Sequence, residues 1–322
     1  MLALASPASL KGVLSPLDAA AALAAGMRRV AGVEVDEAPV ADGGEGTADV
    51  LRHAVGGSTH TADVTGPFGE RVMARWVLLD DGTAVVDSAE ALGLPLVPVA
   101  ERDPLRATSR GLGELLLAVL EAAPGSVLVG VGGTATVDGG VAMREVVGGA
   151  LERVSVSVLC DVRSPLLGAR GAARAFGPQK GAGPAEVELL ETRLASLAEL
   201  EPFRDLPGAG AGGGLGAAFA ALGARLVDGA EHVLDRTRFD ERARGAALVV
   251  TGEGTVDRTT LEGKGPGAVQ RRCEALGVRC ELFGGLVRDG IPAHALSGDP
   301  SNAGADLAAL GESLALAAVG GA

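Results

Sequence analysis

The sequence predicts an α/β protein: a doubly wound parallel-sheet domain with a second α/β domain inserted into it. Three observations carry this. Short apolar runs recur along the chain, and each ends in a glycine-rich loop that opens a helical pattern. One stretch, residues 58–90, instead alternates apolar and polar residues between tight-turn signals. The length, 322 residues, exceeds what one hydrophobic core usually serves, so two domains are expected.

The first run is LALA at residues 2–5, followed by SPASLKG. Ser15, Pro16 and Asp18 then announce a helix: serine caps, proline suits the first helical position, and an acid favours the N-terminus. The second run, residues 33–40, ends in ADGGEGT. STHTADVT, ERVMARWVLL and TAVVDSA follow, separated by GPFG and DDG, and read as an antiparallel meander. The third run, 126–131, ends in GGTATVDGG. A mixed patch from 154 to about 216 holds VSVSVLCDV, a polar helix and GAGAGGGLG. The fourth run, 247–251, ends in GEGTVDRTT, and the fifth, 278–283, ends in GG. The expected division assigns 1–56, 100–148 and 225–322 to the parallel domain, and 57–99 with 149–224 to the second. GAGAGGGLG contains a formal GxGxxG but follows Leu206-Pro207 rather than a strand, so it reads as a hinge or a tight helix entry.

Composition narrows the function. Apolar residues make up 47% and charged residues 21%, as in a globular protein. The net charge of −13, with no basic patch, argues against a nucleic acid or an anionic membrane as partner. Arg271 and Arg272 form the densest positive pair near the end of the sequence and read as a solvated helix face. Cys160, Cys273 and Cys280 show no CxxC spacing, which argues against a zinc site or a disulfide framework and fits a reducing cytoplasm. The beginning of the chain lacks signal-peptide character, and no run of 18 uncharged apolar residues occurs. A small-molecule substrate is expected; the oligomeric state is not legible.

In an open α/β sheet, ligands sit outside the carboxyl ends of the strands. The residues there are biased towards carboxylates: Asp42, Glu45, Asp138, Asp161, Glu253 and Asp257. Such a cluster is costly without a cation, and Mg2+ is the expected one. Of 28 basic residues only Lys11, Lys180 and Lys264 are lysine, and each stands beside a glycine. A compact ammonium at a loop where backbone can approach suits phosphate oxygens. Carboxylates and lysines at strand ends together describe nucleotide binding and phosphoryl transfer. Asp42, Glu45 and Asp138 can equally serve as turn or helix-start acids. No P-loop, GxSxG elbow or histidine ligand spacing is present.

SLKGVLSPLDAAAALAAG, ADGGEGTADVL, VTGPFG, VGVGGTATVDGG, CDVRSPLLGARGAARAFGPQKGA, LPGAGAGGGLGA and LVVTGEGTVDRTTLEGKGP occur in an order that resembles the bacterial glycerate kinase family, the two-domain type without a P-loop. The resemblance spans nearly the whole chain. It implies a flavodoxin-like domain with an inserted α/β domain, and phosphorylation of D-glycerate by ATP. On it, Lys11, Asp42, Glu45, Asp138 and Lys180 are expected to be catalytic. Gly132, Gly133, Thr134, Gly252 and Lys264 are expected to bind nucleotide or phosphate, and Asp161, Glu253 and Asp257 to hold the metal. The chain departs from the family's pattern in four loops: Ala8 stands at the aspartate of PDSFKG, Val137 at an asparagine of GGSATNDGG, Arg163 and Ser164 within CDVDNPL, and Thr255 and Thr259 within TGEGRLDxQT. These departures leave two alternatives open: a silent homologue that binds a nucleotide or small acid, and a kinase for another small hydroxy acid.

Overall fold

A computed structural model describes residues 1–320 apart from the Glu262 side chain. Its strands are β1 (Leu2–Ala5), β2 (Glu34–Glu37), β3 (Gly57–Thr65), β4 (Arg71–Leu79), β5 (Thr83–Asp87), β6 (Ser126–Gly130), β7 (Ser155–Cys160), β8 (Arg225–Asp228), β9 (Leu248–Val256), β10 (Cys280–Val287) and β11 (His294–Ala295). They form two sheets, ordered β11-β10-β9-β1-β2 and β3-β4-β5-β6-β7-β8. The chain divides into two compact units: residues 1–42, 49–54 and 230–322, and residues 43–48 and 55–229.

Every pairing in the first unit's sheet is parallel. Counted within that unit, the strand order is 2-1-3-4-5, the flavodoxin-like order, with its switch point between β1 and β9. A parallel sheet survives because helices cover both faces. Ala3, Ala5, Leu248 and Val250 point into a core shared with Leu23, Met27, Leu307 and Leu314. Leu4 and Val249, one residue out of phase, point into a second core with Phe239, Val269 and Cys273. The Pro16–Met27 helix starts as the sequence predicts: the Asp18 N–H donates to Ser15 Oγ at 3.1 Å, with proline in the first turn. The helical segment Pro300–Gly320, which contains the Ala303–Gly320 helix, is long and apolar enough by composition to cross a membrane. Its Ala303, Leu307, Gly311 and Leu314 stripe instead lies in the first unit's core. A Cβ at Gly26 would stand 1.8 Å from the Ala308 carbonyl oxygen, so glycine sets how closely these two helices approach.

In the second unit the predicted meander is present: β3, β4 and β5 pair antiparallel, closed by turns at 66–70 and 79–82. From β5 to β8 the sheet is parallel. Trp76, Leu115, Leu116, Val129, Val158 and Phe219 belong to one core over it.

Residues 43–48, 55–56, 100–148 and 225–229, expected in the first domain, lie instead in the second unit. β6 is hydrogen bonded between β5 and β7, and β8 pairs with β7, so both belong to the second unit. An apolar run read alone shows that a strand is buried on both faces, but not which neighbours bury it. The GAGAGGGLG segment is a helix entry. Gly212, Gly213 and Gly214 have φ of 62°, 76° and 98°, and a Cβ at Gly213 would meet the Thr136 carbonyl oxygen at 1.9 Å. No side chain fits there.

Candidate active site

The first unit brings chemistry to its switch point. β1 leads into Leu10 and Lys11, and the positive φ of Gly12, 74°, lets the chain turn back there. β9 carries Glu253 at its carboxyl end, and Lys264 is the cap residue before the Gly265–Leu276 helix. A cavity of about 360 Å³ is lined by Lys11, Glu253, Lys264, Leu286, Leu296 and Asp306, among others. The backbones around it are drawn close by glycine: a Cβ at Gly285 would lie 2.8 Å from the Gly254 carbonyl oxygen, and one at Gly254 would lie 3.4 Å from the Leu10 Cα.

Glu253 is 7% exposed and its Oε1 accepts from Thr260 Oγ1 at 2.6 Å. Lys264 Nζ stands 3.4 Å from both carboxylate oxygens. Burial pushes the Glu253 carboxyl above the usual range. Thr260 and Lys264 oppose this shift, and the negative charge of Asp42 adds to it. Asp257 is half-buried and caps the Arg258–Glu262 helix, accepting from Thr259 N at 2.9 Å and from Thr259 Oγ1 at 2.6 Å. The Thr259 hydroxyl leads the causes that hold its carboxyl below the usual range.

Among the described residues, no three of His, Cys, Asp and Glu gather as a group that could hold a metal ion. The expected trio of Asp161, Glu253 and Asp257 is therefore not assembled as a cage. Asp161 belongs to the second unit, and Asp257 is a helix cap. The repulsion between Glu253 and Asp42 does fit a divalent cation whose remaining ligands are phosphate oxygens, because Mg2+ keeps few protein ligands. Gly252 is buried inside β9, where a Cβ would stand 2.2 Å from the Phe283 carbonyl oxygen; close strand packing accounts for it.

The second unit holds the other expected residues. Lys180, 3% exposed, donates from Nζ to Thr134 Oγ1 at 3.1 Å and to the Thr136 carbonyl at 2.7 Å. Burial brings its ammonium down to about 7, partly countered by Asp138. Asp138 accepts from Ser109 N, Ser109 Oγ and Gly140 N at 2.9, 2.6 and 3.0 Å, so it ties the Arg110–Glu121 helix to the 132–140 loop. Gly133 takes φ 73° in that loop, and a Cβ at Gly132 would stand 2.7 Å from the Gly44 Cα. Glu45 is exposed, at the rim of a separate cavity of about 390 Å³. Asp161 and Asp228 flank Cys160, whose thiol is pushed up to about 12 by burial first and then by their charges.

Sequence reasoning missed several residues that build these loops. Asp87, 5% exposed, accepts from Gly46 N at 3.0 Å and from Ala48 N at 3.3 Å, and so shapes the ADGGEGT loop from the end of β5. Thr260 orients Glu253, and Ser109 orients Asp138. Asp87 was discoverable, since it closes the apolar TAVVD run at a strand end; the roles of Ser109 and Thr260 depend on contacts that spacing does not encode. Two departures from the family's pattern prove to be apolar. Ala8 lies in the core with Leu4 and Val40, and Val137 in the core with Leu166 and Leu194. Arg163 is exposed, and Thr255 lines the first unit's cavity.

A family model described as the glycerate kinase family matches residues 3–152 and 147–299. Glycerate 2-kinase of Escherichia coli (strain K12) is 39% identical over 300 residues, covering 81% of this chain and 79% of that protein. Glycerate kinase of Bacillus subtilis (strain 168) is 38% identical over 324 residues, covering 88% and 85%. A crystal structure described as glycerate kinase 2 from Salmonella typhimurium LT2 superposes with a TM-score of 0.83 at 33% identity, covering 100% of this chain and 99% of that one.

Proposed function

The chain belongs to the glycerate kinase family, and on that premise we propose that it transfers the terminal phosphoryl group of ATP to a hydroxyl of D-glycerate, giving phosphoglycerate and ADP. It is a phosphotransferase with an alcohol group as acceptor. The observation that carries the site assignment is the meeting of Lys11, Glu253 and Lys264 around one cavity at the switch point of a flavodoxin-order sheet.

In phosphoryl transfer, charge spreads over the oxygens of the moving group while the attacking and leaving oxygens stand in line. Lys11 and Lys264 supply the positive charge, and Glu253 keeps Lys264 in place through its carboxylate. Asp42 orients the attacking hydroxyl and receives its proton as the new P–O bond forms and the bond to the ADP oxygen breaks. Glu253, with the charge of Asp42 nearby, would hold Mg2+, which would supply positive charge to the phosphates. In the second unit, Lys180, Asp138, Gly132, Gly133 and Thr134 act together. Lys180 and Asp138 hold the loop from both ends, so that its backbone N–H groups keep one arrangement for an anionic ligand. Glu45 stands on a loop shaped by Asp87, and its carboxylate is offered as an acceptor to a substrate hydroxyl. Three free thiols support a reducing, cytoplasmic setting.

ADP release with Mg-ATP, measured with and without D-glycerate, tests the reaction, with a Lys264→Ala control. Glycerate-dependent release that falls about 10²-fold or more in the control is expected, the scale of losing one preorganised charge at a transition state. A folded protein that releases no ADP with glycerate, yet melts higher with ATP, would make it a binding homologue. Release driven only by another hydroxy acid would move the substrate and leave the chemistry standing.

A further inference from the structure

The cavity that Lys11, Glu253 and Lys264 adjoin extends well beyond them, and its remaining wall has no part in phosphoryl transfer. Leu286 at the end of β10 and Val13 after β1 both line it, and both are large apolar side chains left 46% and 39% exposed. The segment after β11 closes one side: Leu296 N donates to the Gly284 carbonyl at 2.9 Å, which seats Leu296 next to the strand end. Asp306 belongs to the same wall. One of its oxygens, Oδ2, accepts from Ser297 N at 3.0 Å and from Ser297 Oγ at 2.6 Å. The other, Oδ1, accepts from nothing among the described residues. Asp299 also lines the cavity, but both its oxygens are engaged, Oδ1 by Ser301 N and Oγ at 2.9 and 2.7 Å and Oδ2 by Asn302 Nδ2 at 3.3 Å. The volume, about 360 Å³, lies within the range of small-molecule sites.

Apolar side chains left in contact with water beside two ammonium groups describe the complement of a molecule with a flat apolar end and a polyanionic end. We propose that this wall is the nucleoside seat of the first unit: Leu286, Leu296 and Val13 clasp the purine, Asp306 accepts hydrogen bonds from the ribose hydroxyls, and the phosphates run towards Lys11 and Lys264. A carboxylate in the first turn of a helix, held through one oxygen by the preceding Ser297 and with the other left over, is the type of acceptor that reads ribose in other open α/β sheets. The proposal rests on the phosphotransferase reading for its choice of ATP as occupant. It adds the residues that select the nucleoside.

The test is calorimetric titration of the intact protein with ADP, 2′-deoxy-ADP and D-glycerate, which requires no turnover. Leu286→Glu adds a further carboxylate to a wall that already holds Asp299 and Asp306, at a position half open to water, so the fold is retained and a melting curve verifies it. ADP affinity should fall about tenfold or more, through desolvation of that carboxylate and repulsion of the ligand, while D-glycerate affinity stays unchanged. Asp306→Asn, nearly isosteric, should erase the preference for ADP over 2′-deoxy-ADP, and it decides the matter if Leu286→Glu fails to fold. Unchanged ADP affinity in a folded Leu286→Glu protein overturns the seat, as does a wild-type protein that binds no ADP. So does loss of D-glycerate binding alone, which would hand the cavity to the hydroxy acid. Glycerate-dependent turnover with ADP affinity indifferent to Leu286→Glu overturns the seat and leaves the kinase reading intact. ADP binding sensitive to Leu286→Glu without any turnover does the reverse.

Discussion

Lys180 is the residue whose place changes most between a linear and a folded reading. Its position beside a glycine reads as a phosphate-binding cation, whereas its ammonium is buried and donates to Thr134 and Thr136. Its folded pKa, about 7, lies below the ordinary lysine value of 10.5. Between those values the unfolded chain binds more protons than the folded one, so this group makes stability rise with pH across that window. Below pH 7 both states carry the proton and the penalty is present in full. Lys180→Met, similar in length and able to stay neutral, should flatten the rise in urea midpoint between pH 7 and 10; an identical slope in wild type and variant would remove Lys180 as its source. Glu253→Gln keeps the shape and the Thr260 contact but loses the charge facing Lys264. It should lower kcat with little change in the melting temperature. A fall in stability without a fall in kcat would make Glu253 structural instead.

At the scale of elements, the signals that survived are those whose cause is local. Ser15 caps the Pro16–Met27 helix because its side chain reaches an N–H three residues on, whatever the rest of the chain does. Asp257 likewise caps the Arg258–Glu262 helix, the alternative that strand-end carboxylates always carry. Asp257→Ala should cost about 0.5–2 kcal/mol of stability, the usual range for a lost cap; an effect on turnover far beyond that loss, with the fold intact, would return Asp257 to the ligand site. The glycines behave differently. Gly26 and Gly311 look like defects in helices, yet a Cβ at Gly311 would stand 2.3 Å from the Leu23 carbonyl oxygen. Gly26→Val should therefore destabilise the first unit by about 1–3 kcal/mol or more, through overpacking of a helix pair. An unchanged urea midpoint would mean the helices part without cost.

At the scale of the whole molecule, the second unit has its own sheet and its own core, which includes Trp76, the protein's one tryptophan, 4% exposed. A fragment of residues 43–229, which carries 49–54 of the first unit along with it, should melt cooperatively and keep the blue-shifted emission of a buried indole. A broad, non-cooperative melt with water-like emission would show that it depends on the first unit. Apolar runs, turn signals, caps and loop carboxylates were legible in the sequence because each depends on the period of a strand or helix, or on a contact a few residues away. They determined the α/β class, the meander, most strands and the set of loops where chemistry could sit. Which sheet β6 joined was decided only by tertiary structure, since a run buried on both faces looks the same in either sheet, and β8, partly exposed at the sheet edge, offers no apolar run to read. The same holds for Lys180, Asp138 and Val137, whose roles follow from partners dozens of residues away or from the core around them. Spacing along the chain specifies period and local caps; which polar group is buried, and against what, is specified only when distant segments pack.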